Sequence, residues 1–257
     1  GPRGLGRRRA GGVIDRRRFL ALAAALAAAA CSGPAPSCMP RIVVDIGHTP
    51  DAPGTTSAEG VDELTFNRRF AARLERELGT LLPPGGTSTV IETADPDPRL
   101  ERRVAALAAA GPSLILSVHH DSVQEHYLTR RTVDGRELTQ TDAAAGFSLF
   151  VPADTGVAAE SLRAAEAIAD ALLAIGERPS LHHAEPIDGE NRRLLDPARG
   201  IYAGDFLKIL RTATAPAVLL EIGVIKNPAE ETRLSDPVTI GRVAGAIARA
   251  AAALPCR

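Results

Sequence analysis

The sequence predicts an α/β fold: a mainly parallel twisted sheet with helices on both faces, in a single main domain. Three observations predict it. Apolar strand-like runs alternate with segments of helical periodicity, the pattern of βα units. The runs at 41–47, 114–119 and 217–225 are almost continuously apolar, as strands buried on both faces must be. And 257 residues at 45% hydrophobic and 24% charged are enough for one sizeable core. No internal repeat is present.

The elements follow in order. Residues 1–30 lie outside the fold. Seven arginines within the first eighteen positions (Arg3, Arg7, Arg8, Arg9, Arg16, Arg17, Arg18) oppose only Asp15, which makes this segment +6 and leaves −7 on the other 227 residues of a chain of net charge −1. Phe19–Ala30 is an uncharged run of twelve residues, shorter than the roughly twenty a membrane span needs. A basic head, a short apolar run and a small-residue exit describe an export signal. Arg16-Arg17-Arg18-Phe19-Leu20 is similar to a twin-arginine signal. Ala28-Ala29-Ala30-Cys31 is a degenerate version of the lipobox in which Cys31 would be lipidated and anchor the protein to a membrane. Residues 31–40 read as a short linker, and 41–257 as the domain proper. Of three cysteines, Cys38 and Cys256 lie at the two ends of that domain, so a bridge between them is expected, with Cys31 left over.

Arg41–Gly47 is the first strand. Phe66, Phe70, Leu74, Leu78 and Leu81 then recur at helical spacing over 65–82. Pro83-Pro84-Gly85-Gly86 breaks the chain, 88–93 is a second strand, and Leu100, Val104 and Leu107 mark a helix over 98–110. A third apolar run spans 114–119. Residues 124–145 are polar and unpatterned. A strand at 146–152 precedes a helix over 158–175, a second irregular stretch covers 178–204, and a last strand (217–225) and helix (238–254) close the domain.

Polar residues in such strands need a reason, because burying them without partners is costly. The first run ends Asp45-Ile46-Gly47-His48. The third ends Ser117-Val118-His119-His120-Asp121-Ser122, and the last contains Glu221. In open α/β sheets ligands bind beyond the carboxyl ends of the strands, where His48 and the histidine pair sit. Imidazole and carboxylate suit zinc, and three protein ligands leave one position for water. Asp62-Glu63, opening the first helix, lies close enough in sequence to supply a carboxylate. Each residue also has an ordinary reading: His48 as a loop histidine, His119-His120 as a surface turn, Glu63 as a first-turn acid favoured by the helix dipole. Glu221 resists one, since glutamate is almost never fully buried without a partner.

Ile42-Val43-Val44-Asp45-Ile46-Gly47-His48, Glu63 with Asn67, Ser117-Val118-His119, and Pro216–Gly223 followed by Asn227-Pro228 together resemble the zinc-dependent N-acetylmuramoyl-L-alanine amidases of the amidase_3 family. The likeness runs from about Arg41 to Leu254. It implies an α/β catalytic domain, zinc (Zn2+) held by His48, Glu63 and His119, and Glu221 as catalytic carboxylate. The reaction implied is hydrolysis of the amide between the lactyl group of N-acetylmuramic acid and the L-alanine of the peptidoglycan stem peptide. Departures are Ile46 for a frequent proline, Thr49-Pro50 for Gly-Gly, His120 for a small residue and Asp121 for asparagine. His119 is preferred to His120 because it follows Ser117-Val118 in matching register. His182, His183 and Glu185 receive no role.

The resemblance implies a peptidoglycan or muropeptide partner and an exported protein of the periplasm or cell envelope. An acidic domain offers no basic face for nucleic acid. Arg130, Arg131, Arg192, Arg193 and Arg211 are candidates for a locally basic cleft toward an anionic wall. Two other readings use the same residues: a zinc carboxypeptidase-like peptidase, which would add an arginine clamp for a free carboxylate, and a wall-binding module without turnover.

Overall fold

The computed structural model describes residues 1, 38–94, 96–97 and 99–256. The chain divides into a segment Gly1–Cys38 and a body Met39–Arg257, and the fold is that of the body. The expected export signal, twin-arginine string and lipobox at Cys31 lie outside the described residues. Cys38 and Cys256 are both disulfide-bonded, as the expected bridge requires.

A seven-stranded sheet forms the centre. Its strands are β1 (Arg41–Ile46), β2 (Thr87–Ile91), β3 (Leu114–Asp121), β6 (Ser148–Val151), β7 (Leu194–Asp196), β8 (Ile201–Ala203) and β9 (Ala217–Val224), in the order β2-β1-β3-β9-β6-β8-β7. β4 (Thr129–Val133) and β5 (Arg136–Gln140) make a separate antiparallel hairpin. β2, β1, β3 and β9 are mutually parallel, whereas β6 runs antiparallel to β9 and β7 antiparallel to β8. The helices are α1 (Glu63–Leu81), α2 (Glu101–Ala109), α3 (Ala158–Ala174), α4 (Lys208–Arg211), α5 (Pro228–Ser235) and α6 (Pro237–Ala252).

Strand alternation sorts the core into two layers. Ile42, Val44 and Ile46 of β1 join Leu114, Leu116 and Val118 of β3 beneath α1, α3 and α6. Val43, Ile115 and Leu219 face the other way and meet Leu107 of α2 and Ile209 and Leu210 of α4. The helical spacing of α1 buries Phe66, Phe70, Leu74 and Leu78 as expected, while Leu81, in the last turn, is exposed.

The irregular stretches hold more structure than periodicity suggests. Residues 124–145 contain the β4/β5 hairpin, whose turn residues Asp134 (φ 50°) and Gly135 (φ 76°) both adopt the left-handed conformation that Asp-Gly hairpins favour. Residues 178–204 contain β7 and β8, each of three residues and too short to show a period.

Asp45, the first polar residue in a buried strand, is satisfied structurally. It faces the α2 layer, accepts from Arg103 Nε of α2 at 2.7 Å and from Ser117 Oγ at 2.6 Å, and both ionic partners are buried. Arg103 also donates to the carbonyls of Ile46 and His48, tying α2 to the chain that delivers His48. Removing one partner of a buried pair strands the other charge. Arg103→Leu is therefore expected to lower unfolding free energy by about 3–5 kcal/mol, read as a shifted urea midpoint at unchanged slope.

Candidate active site

His48 stands one residue beyond β1, after Gly47, and adopts φ 69°, a left-handed conformation that a non-glycine residue takes only where its surroundings impose it. Glu63 is the first residue of α1, brought back over the strand ends by the loop 49–62. That loop closes on itself: Glu63 N–H donates to Thr55 O at 2.9 Å and Thr55 N–H to Glu63 Oε2 at 3.2 Å. Its far side is pinned by Ser57 Oγ donating to Glu231 at 2.6 Å and by Arg131 of the hairpin donating to Ala58 O at 2.7 Å.

His119 is near the end of β3, on the same face as Ser117, and His120 on the opposite face. The structure brings His48, Glu63 and His119 together: His48 Nε2 lies 2.9 Å from Glu63 Oε2 and His119 Nδ1 lies 3.1 Å from Glu63 Oε1. The carboxylate is only 6% exposed, while the imidazoles are 29% and 17% exposed, so the group is open to solvent through its histidines. Burial pushes the Glu63 carboxyl up, but hydrogen bonds from His119 and His48 outweigh it and hold it well below the usual carboxylate range. It is therefore anionic, as a ligand carboxylate must be.

Two glycines make room for this group. A Cβ at Gly54 (φ +83°) would lie 2.3 Å from Glu63 Oε2 and 2.8 Å from His48 Nε2. A Cβ at Gly47 would lie 2.6 Å from His119 Nε2. Behind the carboxylate, Asn67 of α1 donates to Glu63 Oε1 and to Gly47 O, both at 3.3 Å. Its carbonyl pairs with His120 Nδ1 at 2.8 Å. His120 is buried against Phe66 and Phe70, and burial lowers its pKa to about 3. It is a neutral core residue that orients Asn67, and does not reach the cleft.

Glu221 stands opposite His119 in the register of β3 and β9. It is half-buried, and its Oε2 is shielded from solvent without a hydrogen-bond partner. Burial, then the nearby charges of Asp121 and Glu63, raise its pKa well above that of an ordinary carboxylate, with His183 acting in the opposite sense.

Two cavities flank Leu207. One, of about 300 Å³, is lined by His48, His119, Asp97, Arg103 and Lys208. The other, of about 210 Å³, is lined by Glu221, Asp121, His183, Glu190, Arg192 and Phe206. Of the five arginines named from sequence only Arg192 lines either cavity, its guanidinium 4.1 Å above the Phe206 ring. Arg130 and Arg131 pair with Glu125 and Glu59 on the hairpin side, Arg193 reaches Asp154, and Arg211 the carbonyl of Asp205.

His182 and His183, which carry no role in the sequence pattern, both converge on Asp121. Burial pushes the His183 imidazole down, but Asp121 and Glu190 on either side carry it up to about 10. No local spacing could have shown this, because the histidines and Asp121 are some sixty residues apart and meet only through the sheet.

An α/β domain that gathers two imidazoles and an anionic carboxylate at its strand ends, with an unpartnered glutamate alongside, is the constellation of a hydrolase. The comparisons make this specific. The sequence model of the Amidase_3 family, N-acetylmuramoyl-L-alanine amidase, matches residues 42–253. Among solved structures, the N-acetylmuramoyl-L-alanine amidase of Clostridium difficile 630 is 18% identical with a TM-score of 0.63, covering 82% of this chain and 94% of its own. That of Mycobacterium smegmatis is 20% identical with a TM-score of 0.64, covering 84% and 96%. The catalytic domain of the Bacillus (Paenibacillus) polymyxa var. colistinus amidase is 22% identical with a TM-score of 0.59, covering 82% and 96%. No curated protein matches the sequence. The chain belongs to the Amidase_3 family of N-acetylmuramoyl-L-alanine amidases. It is a hydrolase of the amide between the lactyl group of N-acetylmuramic acid and L-alanine of the stem peptide, and its substrate, the cell wall, lies outside the cytoplasm.

Proposed function

We propose that the amidase is zinc-dependent, that His48, Glu63 and His119 hold the ion, and that Glu221 is the catalytic acid and base. The observation that carries this reading is the convergence of three donors from three separate elements, with two glycines whose replacement would push side chains into the donor atoms. Two nitrogens and one carboxylate oxygen, each within 4.8 Å of the others, fit the ligand chemistry of a catalytic zinc site. When bound, zinc would supply Lewis acidity toward the lactyl carbonyl and make water more acidic.

The protein's own groups do the rest. Asn67 and the Thr55 N–H hold the Glu63 carboxylate from both sides, so its orientation is set before any ligand arrives. Glu221, with Oε2 unengaged, takes a proton from the attacking water and returns it to the departing amine of L-alanine. Its environment disfavours the charged form, which makes the proton easy to accept. Arg192, on the wall of the same cavity as Glu221, offers a cation to the carboxylates of the stem peptide. Phe206 beneath it presents an apolar surface.

We further propose that residues 1–30 direct export and that Cys31 anchors the domain at the cell envelope, leaving 41–257 as the catalytic domain. The basic head and short apolar run support this.

The zinc assignment is tested by dialysing the purified protein against a chelator and measuring release of peptides from purified peptidoglycan. Turnover should vanish and return on adding back zinc. Undiminished activity in the metal-free protein would overturn it.

A further inference from the structure

We infer that the cleft contains a second site for a divalent transition-metal ion, formed by Asp121, His182 and His183. It stands on its own residues and goes beyond the zinc site proposed above. Asp121 Oδ2 lies 2.8 Å from His183 Nε2 and 3.5 Å from His182 Nε2. The three ligand atoms all lie within 4.8 Å of one another. Donors bound at about 2.0–2.1 Å around a tetrahedral ion stand roughly 3.3 Å apart, a spacing that the two separations from Asp121 Oδ2 bracket.

Hydrogen bonding alone leaves this cluster unsatisfied. A single carboxylate oxygen faces two imidazole Nε2 atoms. His183 takes the short contact, and His182 Nε2, in a side chain only 5% exposed, has no hydrogen-bond partner. The Ser122 backbone carbonyl lies close by on the His182 side, but neither it nor any other acceptor meets hydrogen-bond geometry with Nε2. Orphaned buried polar atoms are rare and ask for an explanation. A metal ion supplies one, because on displacing the Nε2 proton of His183 to solvent it would take both Nε2 nitrogens and the carboxylate oxygen together.

The outer contacts are those of metal-binding histidines, which usually engage their second nitrogen with a carboxylate or another acceptor. His183 Nδ1 pairs with Glu190 Oε2 at 2.9 Å, and Glu190 is itself held by Gln124 Nε2 at 3.1 Å. His182 Nδ1 pairs with Ser180 Oγ at 2.8 Å. Both rings thus have Nδ1 fixed and Nε2 turned toward Asp121. Two imidazoles and one carboxylate suit zinc, cobalt, nickel or iron rather than calcium or magnesium. The 210 Å³ cavity that His183, Asp121 and Glu190 line is also the one that Glu221 lines, so an ion here would sit on the wall of the reaction chamber.

The experiment is metal analysis of the purified full chain after equilibration with zinc, with a cobalt titration followed by visible absorption. Wild-type protein should bind two equivalents. His183→Gln and His182→Gln should each bind one, Glu63→Gln should bind one, and Glu63→Gln combined with His183→Gln none. The cobalt titration of unaltered protein should continue past the first equivalent, which requires no variant to fold. One equivalent in wild type, lost in Glu63→Gln and retained in His183→Gln, would overturn the second site and leave His183 as a buried cation. One equivalent lost in His183→Gln alone would overturn the first site and keep the second. No binding would overturn both.

Discussion

Glu221→Gln should lower turnover of peptidoglycan by a factor on the order of 10²–10⁴ with metal content unchanged. The substitution keeps shape and removes only the capacity to take and return a proton. Nothing in the fold depends on the lost oxygen, because Oε2 bonds to no group. The thermal midpoint should stay level or rise, since burial first, and then repulsion from Asp121 and Glu63, disfavours a carboxylate here, and an amide carries no charge to be disfavoured. Functional groups held at such a cost to stability are common in active sites. Activity from steady-state kinetics and a melting curve on the same preparation test both halves. Wild-type turnover would remove Glu221 from its role, and a collapsed melting point would make it a structural residue.

Gly54→Ala should weaken zinc binding about 10–100-fold, the usual size of disturbing a group that supports metal ligands. The added methyl meets the far ends of Glu63 and His48, so the clash is relieved by displacing the two donors themselves. The backbone adds strain, because φ +83° is one that alanine rarely adopts. The zinc concentration at half-maximal turnover should rise by that factor while the protein stays folded. An unchanged zinc dependence would show that the loop yields elsewhere and that Gly54 does not shape the donor set.

Glu221 was conspicuous in sequence because a charged residue interrupts an otherwise apolar strand, and burial makes that expensive. Strand alternation separates His119 from His120 once the layers are known, yet either could face the cleft until α1 is placed on one side of β3. Asp45 stood out for the same reason as Glu221, but its explanation was a partner 58 residues away, Arg103, and no local pattern links them. The β4/β5 hairpin escapes a reading by periodicity although Asp134-Gly135 is a hairpin turn signal, because Val133 and Leu138 are the only apolar residues of its strands and two residues make no period. The convergence of Asp121 with His182 and His183 is invisible in sequence, since it depends on how the segment between α3 and β7 is brought against the end of β3.

Mass spectrometry of purified peptidoglycan digested with the wild-type protein shows which bond this cleft cuts, and the amide between muramic acid and L-alanine is the one expected. The expected products are glycan strands bearing a free lactyl carboxylate and intact stem peptides with a free amino-terminal L-alanine. Stem peptides shortened from their carboxyl ends and still joined to muramic acid would contradict it, and would mark the protein as a peptidase.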